Sequence, residues 1–139
     1  MPSRARAIII KDNKILSMKR TKPKEIFWCC PGGMIEKEET NEQALIRECK
    51  EELGLDVKVL ELFHQMESQK AETKGQMEYF YLAEIVGGEL GSGDGPEFQK
   101  DSGYIGAYKI EWTDVDKLDS IDFRPKEINN KINEFRKTI

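Results

Sequence analysis

Apolar positions recur along the chain with two different periods, and the switch between them marks its elements. Ala5 to Ile10 and Ile15 to Met18 are short apolar runs flanking Lys11-Asp12-Asn13-Lys14, the pattern of two strands joined by a tight turn. The charged stretch Thr21 to Phe27, with Pro23, leads through Trp28 into Pro31-Gly32-Gly33, a breaker cluster that reads as loop and whose glycines permit close backbone approach. From Thr40 the period becomes helical. Leu45, Ile46, Cys49 and Leu53 fall on one stripe, Thr40 with Gln43 makes a capping box, and Gly54 stops the run.

Leu55 to Gln65 and Gln76 to Val86 read as long β segments, with the polar stretch Ser68 to Gly75 as a flexible tip between them. Gly87 to Gly95 carries five glycines and continues through Pro96 to Ser102 as a long irregular loop with the character of a lid. Ala107 to Trp112 is a further strand and Thr113 to Leu118 a short capped turn. Ile128, Ile132 and Phe135 mark a terminal amphipathic helix entered after Pro125. Strands, one central helix, more strands and a final helix predict an α+β (α/β) chain, layered as α/β/α around a mixed sheet, in one domain spanning residues 1–139.

Composition narrows the partners. Hydrophobic residues make up 38% of the 139 and charged residues 35%, enough apolar material for one core. Lys and Arg number 22 against 26 Asp and Glu, and the resulting net charge of -4 disfavours a stable nucleic-acid complex or an anionic membrane surface. Cys29, Cys30 and Cys49 are odd in number and form no CxxC pair, which fits a reducing cytoplasm. The apolar run in MPSRARAIIIKDN is too short for a signal segment or a spanning helix, so a cytoplasmic protein without a membrane anchor is expected.

The chemistry concentrates on the central helix. Helical geometry gathers Glu48, Glu51 and Glu52 on a face adjoining the apolar stripe, so three carboxylates are expected to converge at the core boundary. Glu48 repels Glu51 and Glu52, and all three lie toward the negative end of the helix dipole. The arrangement costs on the order of 1–2 kcal/mol unless a cation sits among them. Carboxylate oxygens without His or thiolate partners suit magnesium or manganese. A solvated acidic face is the plain alternative for glutamates on a helix.

The wider spacing lowers the weight of that alternative. Gly33, five residues, Glu39, seven residues and then Arg47-Glu48-Cys49-Lys50-Glu51-Glu52-Leu53-Gly54-Leu55 resembles the Nudix box, G-x5-E-x7-R-E-U-x-E-E-x-G-U with U bulky and aliphatic. All seven invariant letters match, a coincidence expected by chance on the order of once in 100,000 at this composition. Cys49 departs from the first U position, where a buried thiol serves as a small hydrophobe. Trp28-Cys29-Cys30-Pro31-Gly32 before the box also looks like the family.

The resemblance implies a Nudix fold holding Mg2+ or Mn2+ and a reaction that hydrolyses the diphosphate of a nucleoside diphosphate derivative: a nucleoside triphosphate, a dinucleoside polyphosphate or a nucleotide-sugar. It implies Glu48, Glu51 and Glu52 as metal ligands, with Glu51 or Glu52 also helping to activate water. The carbonyl of Gly33, or of Gly32 beside it, is implied as a further oxygen ligand. Arg47 would pair with Glu39 or with a ligand carboxylate and hold it in place. Such enzymes often carry a further base on a mobile loop. Glu97 is the candidate here, with Glu78 on a strand as its rival.

Other residues divide between function and packing. Lys19 and Arg20 precede the box and are placed to clamp phosphates, or to stay solvated. Phe27, Trp28, Tyr79 and Tyr81 offer faces for a base, or pack in core and sheet. Arg20, Trp28, Glu78 and Tyr81 are therefore the candidate substrate contacts. His64 and the cysteines read as structural. A nucleotide-binding regulatory module that keeps the fold without turnover is the alternative function, and trimming of RNA 5′ ends is a third, disfavoured by the acidic charge. The long β segments leave a homodimer open.

Overall fold

A computed structural model of the chain describes residues 3–68, 73–92 and 107–137. In chain order the strands are β1 (Arg4–Ile8), β2 (Ile10–Lys11), β3 (Lys14–Lys22), β4 (Glu25–Cys29), β5 (Gly32–Met34), β6 (Leu55–Glu67), β7 (Met77–Gly88), β8 (Ala107–Asp114) and β9 (Phe123–Arg124). Helix α1 (Asn41–Leu53) lies between β5 and β6, a 3-10 segment (Val115–Ser120) follows β8, and α2 (Lys126–Lys137) follows β9. The architecture is mixed α+β with mixed sheets and few helices, as the element pattern predicts. It comprises two compact units, each assembled from two separate stretches of chain.

The first unit takes Met1–Ile9 and Pro31–Ser102. Its sheet runs β5-β1-β7-β6, with β1 parallel to β7 and antiparallel to β5. The alternation Arg4-Ala5-Arg6-Ala7 explains the position of β1. Ala5 and Ala7 are fully buried, and such small side chains let α1 pack against the strand. Arg6 is paired with Glu78 of β7 at 2.9 Å. Leu45, Cys49 and Leu53 of α1 are fully buried, and Thr40 and Gly54 cap the helix as its sequence predicts.

The second unit takes Ile10–Cys30 and Gly103–Ile139. Its sheet is ordered β2-β3-β4-β9, with β8 also pairing antiparallel to β3. Leu16, Met18, Leu118, Ile128 and Ile132 are buried there.

Several expectations need correction. The first two apolar runs do not form a long hairpin. Only Ile10 and Lys11 pair back, onto Ile15 and Lys14, around Asp12 and Asn13 in the left-handed region, while Arg4–Ile8 pairs with β7 and β5. Local turn chemistry cannot reveal that longer-range choice. The charged stretch after Met18 is a β3–β4 hairpin, with β3 reaching Lys22. Gly32-Gly33 is strand rather than loop, because a strand without Cβ atoms can approach β1 closely: a Cβ on Gly32 would lie 2.1 Å from the Ala5 carbonyl oxygen. Ile46 is 45% exposed and leaves the buried stripe. Gly87 and Gly88 still pair, with Asp56 and Leu55, so the glycine-rich loop begins later than the composition suggests. The capped turn expected over Thr113 to Leu118 is the 3-10 segment Val115–Ser120, capped by Asp114, with Thr113 still in β8. Strand β9 is too short for the alternation to show. Most of the expected lid, residues 93–102, and part of the hairpin tip, residues 69–72, lie outside the described residues.

Candidate functional site

Strand β5 and helix α1 of the first unit place the acidic residues. Both helix ends are fixed by sequence: the Gln43 N–H donates to Thr40 Oγ1 at 3.1 Å, the Thr40 N–H donates to Gln43 Oε1 at 2.9 Å, and Gly54 closes the other end with φ 79°. A helix held at both ends gives Glu48, Glu51 and Glu52 a fixed direction along one side. Glu52 is 8% exposed and accepts from the Gly32 N–H at 3.3 Å. The Glu48 side chain is 16% exposed and lies against Gly33, where a Cβ would come within 2.6 Å of its carboxyl carbon. The space above Gly33 is therefore needed by the Glu48 carboxylate, whereas the backbone of β1 needs it above Gly32.

Arg47 organises the rest. Its Nε and Nη2 donate to the two oxygens of Glu39 at 2.8 and 3.0 Å, a bidentate fork. Nη2 also donates to the Met34 carbonyl at 2.9 Å, and Nη1 donates to Glu48 at 3.0 Å and Glu51 at 3.2 Å. Glu36, more exposed, stands 3.8 Å from Nη1. The Arg47 guanidinium holds the Glu39 carboxyl below the usual carboxylate range, against the opposing effect of burial. Its own pKa is raised further by the same bonds.

Burial pushes the Cys49 thiol up to about 12, with the negative charges of Glu52 and Glu48 adding to the effect. A thiol held neutral in this way is packing, not a nucleophile.

The carboxylates expected to converge at the core boundary are engaged by the chain's own donors in this structure. Among the described residues, no three His, Cys, Asp or Glu side chains are grouped so that they could hold an ion. The cause is local competition. The Gly32 N–H holds Glu52, and the Arg47 guanidinium draws Glu48 and Glu51, supplying in part the counter-charge that the glutamates need. The donor set nonetheless fits a hard divalent ion by its chemistry: three carboxylates, and no soft ligand beside them other than a buried, neutral thiol.

The other candidates are placed differently. Glu78 is tied to Arg6 at 2.9 Å, so it is not a free base. Tyr81 is buried and its hydroxyl accepts from Asn41 Nδ2 at 3.1 Å, so the ring packs beside the start of α1 instead of offering a face for stacking. In the second unit, the Arg20 guanidinium lies 4.4 Å from the Tyr108 ring centre and 5.5 Å from that of Phe27. Trp28 has the Lys19 ammonium 5.4 Å from its ring centre. Its Nε1 is buried without a hydrogen-bond partner among the described residues, as is Glu111 Oε2. Glu111 was not singled out by sequence, because an isolated glutamate in a strand carries no spacing signal. Glu97 lies outside the described residues.

A helix, two glycines and an arginine holding this set of glutamates are the parts of a Nudix box, and the chain belongs to the NUDIX domain family, matching it over residues 1–135. It is 35% identical over 123 residues to the ADP-ribose pyrophosphatase of Methanocaldococcus jannaschii, a match covering 87% of this chain and 66% of that protein. The chain thus spans just under two thirds of that relative's length. It is also 61% identical over 31 residues to the 8-oxo-dGTP diphosphatase of Proteus vulgaris, covering 22% of this chain and 28% of that one. In fold it resembles a NUDIX hydrolase from Nitrosomonas europaea, with a TM-score of 0.73 and 18% identity over 99% of this chain and 89% of the other. Among the described residues, no helix is long and apolar enough to cross a membrane.

Proposed function

We propose that the chain, acting as one Nudix domain, is a pyrophosphohydrolase that uses Mg2+ or Mn2+ to cleave the diphosphate of a nucleotide-sugar of the ADP-ribose class. The observation that carries this reading is the helix-borne set Glu48, Glu51 and Glu52, complete and held by Arg47 and Gly32. The ADP-ribose pyrophosphatase relative, aligned over most of this chain, supports the substrate class. A bound divalent ion would neutralise the diphosphate and lower the pKa of a water.

Glu48, Glu51 and Glu52 would hold the ion, with the carbonyl of Gly33 or Gly32. Glu52 is the best-placed of the three to take a proton from water, since burial and a backbone N–H fix its position. Arg47 grips Glu39, donates to Glu48 and Glu51 in this structure, and touches no reacting atom. Water adds across the P–O–P bridge, so ADP-ribose would give AMP and ribose 5-phosphate. No covalent nucleophile is needed, in agreement with the inert Cys49.

The test is direct: the purified chain with Mg2+ or Mn2+ and ADP-ribose should release AMP in proportion to enzyme. Preference for a nucleoside triphosphate would move the substrate toward that of the Proteus relative, whose short match is closer in identity. Tight nucleotide binding with no product from ADP-ribose, triphosphates or dinucleoside polyphosphates would leave a binding module and overturn the enzyme reading.

A further inference from the structure

A guanidinium has five N–H donors, and those of Arg47 match five acceptors. Three bonds go to Glu39 and the Met34 carbonyl, at 2.8, 3.0 and 2.9 Å, and none of these groups is a carboxylate proposed to bind metal. The other two, from Nη1, go to Glu48 and Glu51 at 3.0 and 3.2 Å. One edge of the side chain is thus an anchor and the other sits on oxygens that the reading above assigns to a divalent ion.

Resting on that reading, we propose that Arg47 is a placeholder cation. Its Nη1 edge neutralises Glu48 and Glu51 until a divalent ion displaces it, and the fork to Glu39 keeps the guanidinium at hand to return. The physical reason is twofold. An oxygen that accepts from Nη1 has already committed a lone-pair direction, and a positive group resting on the carboxylates opposes the approach of a second one. The planar fork is what makes this workable, because an ammonium is a point charge and cannot grip Glu39, Met34 and the Nη1 acceptors from one place. Arg47 is a positioning residue with two settings, so the divalent-ion affinity of the box is set by competition as well as by its ligands.

The experiment is Mn2+ titration by calorimetry on the full chain without substrate, with thermal unfolding in parallel, for the parent, Arg47→Gln and Glu39→Gln. Arg47→Gln removes the competitor. It should lower the melting temperature without metal, bind Mn2+ about tenfold more tightly, and show a larger Mn2+-induced rise in melting temperature. Glu39→Gln weakens the anchor, removing its charge and one of the two fork acceptors, and leaves the guanidinium freer to settle on Glu48 and Glu51, so Mn2+ should bind more weakly. These opposite directions distinguish a competitor from a brace, since a residue that merely orders the loop predicts weaker binding in both variants.

If Arg47→Gln proves unfolded without metal, the Mn2+ concentration that refolds it, followed by circular dichroism, gives the same comparison. Mg2+ titration of the parent followed by 15N NMR of the arginine side chains should then move the Arg47 Nη signals more than its Nε signal. Weakened binding in both variants, or unmoved Nη signals, overturns the placeholder role alone. Absence of any Mn2+ binding to the parent overturns the metal reading and this inference with it.

Discussion

The neighbouring glycines Gly32 and Gly33 offer a way to separate folding from chemistry with two single-methyl changes. At Gly33 the nearest atoms to a Cβ would all belong to the end of a side chain, 2.6 Å away for the Glu48 carboxyl carbon and 2.7 Å for each of its oxygens. Ordinary separation is about 3.5 Å, so the carboxylate must retreat by ~1 Å, which a glutamate does cheaply by rotation. Replacing glycine with alanine also lowers the entropy of the unfolded chain, by an amount worth ~0.4–1 kcal/mol. Gly33→Ala should therefore melt within ~3 °C of the parent. Its chemistry should suffer far more, because a displacement of ~1 Å in a ligand costs ~100-fold in rate, equivalent to ~2.7 kcal/mol of barrier.

Gly32→Ala is the opposite case. Its Cβ would stand 2.1 Å from the Ala5 carbonyl oxygen and 2.7 Å from the Arg6 Cα, both backbone, at a φ of 143° that side chains disfavour. Overpacking and strain together cost ~3–5 kcal/mol, enough to unfold a marginal domain. Paired measurements of kcat/KM for ADP-ribose with Mg2+ and of thermal unfolding decide the matter. A fully active Gly33→Ala, or one as unstable as Gly32→Ala, would refute the argument that Glu48 needs the space above Gly33.

Other outcomes follow from the same geometry. Glu52→Gln keeps an oxygen able to accept from the Gly32 N–H, so circular dichroism and melting should stay near the parent while hydrolysis falls at least ~100-fold; retained activity would remove Glu52 from the reaction. Thr40→Ala removes the acceptor for the Gln43 N–H and should cost ~1 kcal/mol, or ~3–5 °C, in thermal unfolding without altering KM. Glu39, Glu25 and Asp122 are each held below their ordinary values, Glu39 by hydrogen bonds from Arg47 and the other two by hydrogen bonds from Arg124. A depressed native pKa gives stability that is complete above the unfolded value and lost as pH falls through the native one. Melting temperature should therefore hold from neutrality to about pH 5 and drop below about pH 4, less steeply in Glu39→Gln.

How far the sequence shows the molecule depends on the range of the forces involved. The α1 helix is legible to the residue because its start and stop are local chemistry: Thr40 and Gln43 satisfy the first N–H groups, and Gly54 adopts the left-handed turn. The acidic spacing on that helix is legible for the same reason. What is hidden is long-range. The pairing of β1 with β7 joins segments some 75 positions apart, so its apolar run reads equally well as half of a hairpin.

Gly32 and Gly33 mislead in the other direction, since the glycine that breaks a strand in isolation is what lets β5 lie against β1. Tyr81 and Glu78 show the remaining gap. Residue type nominates both for chemistry, but Asn41 and Arg6, far away in sequence, have already taken their polar groups. Arg47 is the converse. The box spacing names it, but only the distances show that its guanidinium divides between an anchor at Glu39 and the carboxylates of Glu48 and Glu51, so that a charge pattern suggesting a waiting metal site is, at the level of hydrogen bonds, one already partly balanced by the chain's own cation.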